Sequence, residues 1–196
     1  MKRLGILFTI FFAIVAVVSF SDVSAKSDFA VGSTLENFKL SDTTGKEQSF
    51  NDLQGKNGAI VIFLSVQCPV VKGYDERISK LAEDYKAKGV NVIGINSNAT
   101  ESLERVKTHA AEKYKFPVLI DKGNVLADKL GANVTPEIYF VSAKNVLLYH
   151  GAIDNDRSGK LITDNYLRDA LESFLSGKAI AKTSANAFGC SIKRVE

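Results

Sequence analysis

The chain has 196 residues, 25 lysines and arginines against 22 acids, and two cysteines. That near-balance, with no basic block, excludes the electrostatic footprint of a nucleic-acid partner. Residues 1–25 carry Lys2 and Arg3, an apolar run from Leu4 to Phe20, and Val23-Ser24-Ala25. This is the pattern of a secretory signal peptide cut after Ala25, with an uncleaved membrane anchor as the alternative. Removing it leaves residues 26–196, 171 residues in all, and takes away Lys2, Arg3 and Asp22, so the net charge falls from +3 to +2. The expectation is one exported domain, periplasmic or extracellular, free of the membrane after cleavage, in a compartment that permits disulfides.

Beyond the leader, residues 36–41 alternate like a half-buried strand, and Thr43 to Lys46 read as a turn. Residues 59–65 (AIVIFLS) form a continuous apolar run of strand length, predicting a strand buried on both faces. Val71, Tyr74, Ile78, Leu81 and Tyr85 then recur at helical steps, and Gly89 ends that helix. A strand over 90–96 follows, then a second stripe at Leu103, Val106, Ala110 and Tyr114, with Glu101 and Glu104 expected in its first turn. Residues 117–120 predict a short strand, and 125–130 a short helix closed by Gly131. Strands over 137–141 and 146–150, joined by a short turn, predict an antiparallel hairpin at one side. Tyr166 to Leu175 is the last helix, ended by Gly177. This alternation predicts an α/β fold, a central mixed sheet with parallel pairs and helices on both faces.

Cys68 stands between the buried strand and the first long helix, directly before Pro69. Proline suits the first helical position because its missing N–H is not needed there. The thiol therefore sits at the helix mouth, where unpaired N–H groups and the dipole favour a thiolate, the nucleophilic form. Lys72, four residues on, adds a cation to the same face. A small buried hydrophobe at a strand end is the plain alternative. Further on, Val134-Thr135-Pro136-Glu137 puts a proline at the very start of an apolar strand, where a cis Thr135–Pro136 bond is a natural option.

With these motifs in view, the chain resembles the thioredoxin-like superfamily, in its peroxiredoxin-like branch related to alkyl hydroperoxide reductase and thiol-specific antioxidant proteins. The resemblance spans about residues 30–196. It is carried by Phe38, Leu40, Asp42 and Gly45, by the Cys68-Pro69 turn, and by Phe116-Pro117, Asp121 and Gly131. Thr135-Pro136-Glu137, the stretch from Tyr149 to Asp154, and Gly189-Cys190-Ser191-Ile192-Lys193 complete it. It implies a thioredoxin-like fold, a redox-active thiol at Cys68, and Pro136 with Thr135 as a cis-proline loop packed against that thiol. Two departures stand out. Position 71 is valine where a dithiol oxidoreductase has its second cysteine, and Ser65 and Val61 stand where a peroxidatic motif has threonine and proline. Ser65 keeps a hydroxyl able to hydrogen-bond a peroxide or the thiolate, and no arginine counterpart beside the thiolate is evident.

Cys190, in a tail of weak periodicity, is the remaining thiol. Folded over the helix mouth, it would condense with a sulfenic acid on Cys68 or release a mixed disulfide formed there. The alternative is a permanent staple, about 4–5 kcal/mol in the chain-entropy model for so long a loop. The expected function is therefore thiol oxidoreduction, Cys68 attacking a peroxide or a protein disulfide, with an external thiol as reductant. The competing reading is a non-catalytic binding module of the same fold with a structural Cys68–Cys190 bond. No cofactor or metal is expected: His109 reads as solvated and His150 as a packed residue. The loop starting at Asp154 lacks the twelfth-position glutamate of a calcium loop.

Overall fold

The computed structural model describes residues 29–196, so the expected signal peptide, with its cleavage or anchoring, falls outside the described residues. A hairpin opens the domain, β1 (Lys39–Asp42) against β2 (Glu47–Ser49), followed by the one-turn helix α1 (Phe50–Leu53). The single strand expected over 36–41 is thus shifted and doubled. Asp42 explains the turn: its carboxylate accepts hydrogen bonds from the backbone N–H groups of Thr44 and Lys46 and from the Thr44 hydroxyl.

β3 (Gly58–Leu64) is buried at every position, as its unbroken apolar run predicts. Ile60, Ile62 and Leu64 face one layer of the core, and Ala59, Val61 and Phe63 the other. Behind it comes α2 (Pro69–Lys86), whose buried residues include all five of the predicted stripe. Each fully buried large side chain there contributes roughly 1.5–3 kcal/mol. β4 (Val90–Asn96), α3 (Leu103–Lys113), β5 (Val118–Ile120) and the short α4 (Val125–Leu130) follow. α3 buries Val106, Ala110 and Tyr114 of its expected stripe and departs from it only at the start. Leu103 is exposed, and Tyr114 lies just past the last turn.

β7 (Glu137–Ser142) and β8 (Leu147–Gly151) form the expected antiparallel hairpin at the sheet's edge. The sheet runs β2-β1-β5-β4-β3-β7-β8, with β3, β4 and β5 parallel and the outer pairs antiparallel. α2, α3 and the last helix, α5 (Tyr166–Leu175), pack on one face, while α1 and α4 pack on the other. This is the mixed-sheet α/β fold of the thioredoxin-like class. Two short strands escaped the sequence reading: β6 (Val134–Thr135) and β9 (Cys190–Ser191), which pair antiparallel as a small second sheet. Among the described residues no helix is long and apolar enough to cross a membrane.

Candidate active site

Cys68 is the N-cap of α2, in extended backbone, with Pro69 at the first helical position. The chain turns there because β3 ends at Leu64 and the Cys68 carbonyl accepts the helix's first bond, from Lys72 N–H at 3.1 Å. The side chain is only 1% exposed. Its S–H donates to the Thr135 carbonyl at 3.3 Å, and the Thr135–Pro136 bond is cis. Thr135 in turn sits opposite Cys190 in the β6–β9 register. The strand pairing therefore brings together two cysteines 122 positions apart, both as free thiols.

The electrostatics of the two sulfurs differ in sign. Burial, the largest single influence on Cys68, works against its anion. Hydrogen bonds that the anion would accept from the Cys190 thiol, the Val71 N–H, the Thr135 side chain and the Cys190 N–H outweigh it. The Cys68 thiol therefore lies below its ordinary value. Cys190 is pushed up, first by burial and then by donating to and facing the Cys68 anion. The Val71 N–H belongs to the first turn of α2, so the helix mouth contributes as the sequence suggests. Lys72 lies away from this set of hydrogen bonds. It is exposed and lines a shallow surface groove with Val66, Arg105 and His109.

Ser65 is buried, and its hydroxyl has a different partner from the one expected. It donates to Glu101 Oε1 at 2.5 Å. The same carboxylate accepts the Val66 N–H at 3.1 Å, the Gln67 N–H at 2.9 Å and the Asn96 side-chain amide at 2.6 Å. Glu101 is therefore not in the first turn of α3, where the sequence reading put it. Helix α3 is capped by Ser102, and Glu101 precedes it. Because β3 and β4 run parallel, Leu64 and Asn96 are neighbours and both strands end at the same edge. This lays the loop after β4 beside the loop carrying Cys68. An acid among small polar residues after a strand was the available signal, but only the strand order gives it a partner.

Glu137 was also missed. It is 5% exposed, and Oε2 accepts the backbone N–H groups of Asn133 at 2.8 Å and Val134 at 3.1 Å. Oε1 meets His150 Nε2 at 2.7 Å and accepts the Tyr139 hydroxyl at 3.2 Å. Burial raises the Glu137 pKa, but the His150 contact and the two N–H donors outweigh that and hold it below the ordinary carboxylate value. The buried acid thus braces the segment leading into Pro136. His150, stacked on Tyr139 with centroids 4.5 Å apart, is the packed residue expected.

His109 is not solvated. It is half-buried between α2 and α3, with Nε2 3.3 Å from Asp75 Oδ1, and the Tyr114 hydroxyl donates to the same carboxylate. Periodicity placed it on the polar face of its own helix without showing that α2 packs there. In the loop after β8, the Asp154 carboxylate is taken by Arg77 at 2.6 Å and by the Tyr74 hydroxyl at 2.7 Å. That loop ties α2 to the last helix.

The tail carrying Cys190 is fastened on both sides of it. Upstream, His150 N–H donates to the Thr183 carbonyl at 3.0 Å and Ala185 N–H to the His150 carbonyl at 3.1 Å. Downstream, Ile192 N–H reaches the Asn133 carbonyl at 2.9 Å, Lys193 N–H the Asn98 Oδ1 at 2.9 Å and Val195 N–H the Asn124 Oδ1 at 2.8 Å. Gly189 passes so close to the Thr135 carbonyl that a Cβ would lie 1.9 Å from its oxygen.

The AhpC/TSA family model matches residues 31–150. The thiol-disulfide oxidoreductase ResA of Halalkalibacterium halodurans is 28% identical over 144 residues, 72% of this chain and 75% of that protein. A crystal structure of a hypothetical protein from Sinorhizobium meliloti 1021 is 33% identical with a TM-score of 0.78, covering 85% of this chain and 95% of that one. A conserved protein from Geobacillus kaustophilus is 30% identical with a TM-score of 0.79, covering 85% and 93%.

Proposed function

We propose, from the premise that this chain belongs to the AhpC/TSA family and is a thiol oxidoreductase, that Cys68 and Cys190 form its working dithiol–disulfide couple, exchanging electrons with protein thiols and disulfides. One observation carries the reading: the Thr135↔Cys190 register pairs the second thiol with the loop that receives the Cys68 S–H. With valine at position 71, the tail supplies the partner sulfur that a two-cysteine helix mouth would hold. The relatives named ResA are thiol-disulfide oxidoreductases, which supports the same substrate class here. Ser65 gives its hydroxyl to Glu101, which weighs against a site built to hold a peroxide. Thr135 presents its carbonyl to the Cys68 S–H and pairs with Cys190, the cis bond to Pro136 shapes that loop, and Pro69 sets the start of the helix. The electrons come from an external thiol donor, in the exported setting that the leader-like residues 1–25 suggest.

A second reading, reduction of a small peroxide, is favoured by the burial of Cys68, which admits a small oxidant more readily than a protein. The Cys68 thiolate would attack one peroxide oxygen, breaking the O–O bond and becoming a sulfenic acid while the other oxygen leaves as water or an alcohol. The Cys190 thiol would then displace water to form the disulfide.

The test is oxidation of the purified full chain followed by mass spectrometry and steady-state reduction of a protein disulfide or of hydrogen peroxide. The expected result is a reducible Cys68–Cys190 bond and protein-disulfide reduction lost in Cys68→Ser and in Cys190→Ser. Two freely alkylated thiols after oxidation would remove the couple. Turnover with peroxide alone would select the second reading.

A further inference from the structure

The two sulfurs of the couple are not equally within reach. Cys68 is 1% exposed, enclosed by the helix mouth, the Thr135 carbonyl and the tail strand. Cys190 is half-buried and belongs to the layer that covers it. That layer is held on both sides, by the Thr183 and Ala185 bonds to His150 and by the Ile192 and Lys193 bonds to Asn133 and Asn98. Gly189 presses it against Thr135 with no space for a side chain, and Phe188 packs on Tyr74 with ring centroids 6.3 Å apart. A bulky partner approaching this edge meets Cys190 first.

We infer that in exchange with a protein partner the intermolecular disulfide forms on Cys190, and that Cys68 is the internal sulfur that leaves and returns beneath the tail. This rests on the proposed Cys68–Cys190 couple and reverses the order read from the helix mouth alone. When the oxidised protein accepts electrons from a protein dithiol, a partner thiolate attacks Cys190 Sγ. The Cys68–Cys190 bond breaks, the Cys190–partner bond forms, and Cys68 departs as a thiolate. The partner's second thiol then attacks its own bonded sulfur, closing the partner's disulfide. Cys190 leaves with the proton that thiol gives up. Two electrons have moved from the partner dithiol to this protein, which is left with one thiolate and one thiol. In the opposite direction, Cys190 attacks the partner's disulfide and its proton passes to the partner sulfur released. Cys68 then attacks Cys190 and expels the second partner sulfur.

The same asymmetry operates in the chemistry. A thiol of lowered pKa leaves faster, and Cys68 is the lowered one of the pair. The helix mouth thus serves the departing sulfur, while exposure chooses the one attacked.

To test this, the full chain is oxidised to the Cys68–Cys190 bond and mixed with a thioredoxin variant that keeps only its attacking cysteine. The reaction is quenched in acid at early times, alkylated and digested, and the cross-linked cysteine is quantified. The expected result is about tenfold more cross-link on Cys190 than on Cys68. Gly189→Ala, which forces the tail away from Thr135, is expected to reduce that preference. Equal or greater cross-linking to Cys68 in the wild type would overturn the order while leaving the couple standing. Failure of the oxidised chain to contain the Cys68–Cys190 bond would remove the couple and this inference together.

Discussion

Replacing Cys190 with alanine deletes a hydrogen-bond donor to the Cys68 anion, and the direction of the effect follows from that. In the wild type the Cys68 thiol lies below its ordinary value of 9.0 because donors outweigh burial. Its thiolate fraction therefore falls as the pH drops through the lowered value. Cys190, shifted upward, stays protonated past the ordinary range. Thiolate absorbance followed against pH should thus show two separated steps in the wild type. In Cys190→Ala a single step is expected, moved to higher pH than the first wild-type step. An unmoved or lower midpoint in the variant would remove the Cys190 thiol as the chief stabilising donor. The linked contribution to folding has the same sign for Cys68: it is present above the unfolded value and lost as pH falls through the folded one.

Between elements, the decisive contact is the Glu101 carboxylate, which joins the loop after β4 to the loop before α2. Its partners include two backbone N–H groups, Val66 and Gln67, that immediately precede Cys68. Glu101→Ala leaves these donors to water or to nothing, an expected cost of about 1–3 kcal/mol. It should also slow thiol-disulfide exchange by loosening the loop that holds Cys68 in place to leave and return. Urea denaturation and exchange rates check both, and an unchanged midpoint with unchanged exchange would reduce Glu101 to a surface acid. Glu137 plays the corresponding part across the cleft, holding the Asn133 and Val134 N–H groups ahead of Pro136. The thiol thus lies between two segments, each pinned by one carboxylate.

At the scale of the whole molecule, the tail closes the site and also closes the chain on itself. The bond expected between Cys68 and Cys190 would span 122 positions. In the chain-entropy model this constrains the unfolded state by about 4–5 kcal/mol. The oxidised protein should therefore unfold at markedly higher urea than the protein kept in dithiothreitol. Cys190→Ala should behave like the reduced form under both conditions. Equal midpoints for oxidised and reduced wild type would mean that no such bond spans the chain.

Much of this molecule can be read along the chain, because its information is local there. The seven-residue buried run of β3, the stripe of α2 and the Cys68-Pro69 helix start each depend on neighbours within a few residues. So does the β7–β8 hairpin. The family resemblance led to Thr135 and Pro136 by the same kind of adjacency. What remained hidden depends on contacts between distant segments. Glu101 meets Ser65 only because β3 and β4 run parallel and end at one edge. His109 is covered because α3 packs near α2, and Cys190 gains a partner only through a two-residue strand too short to carry any periodicity. Local pattern could choose the sulfur at the helix mouth. Which of the two sulfurs meets the outside is a question of what the tail covers, and burial of that kind is a property of the folded surface.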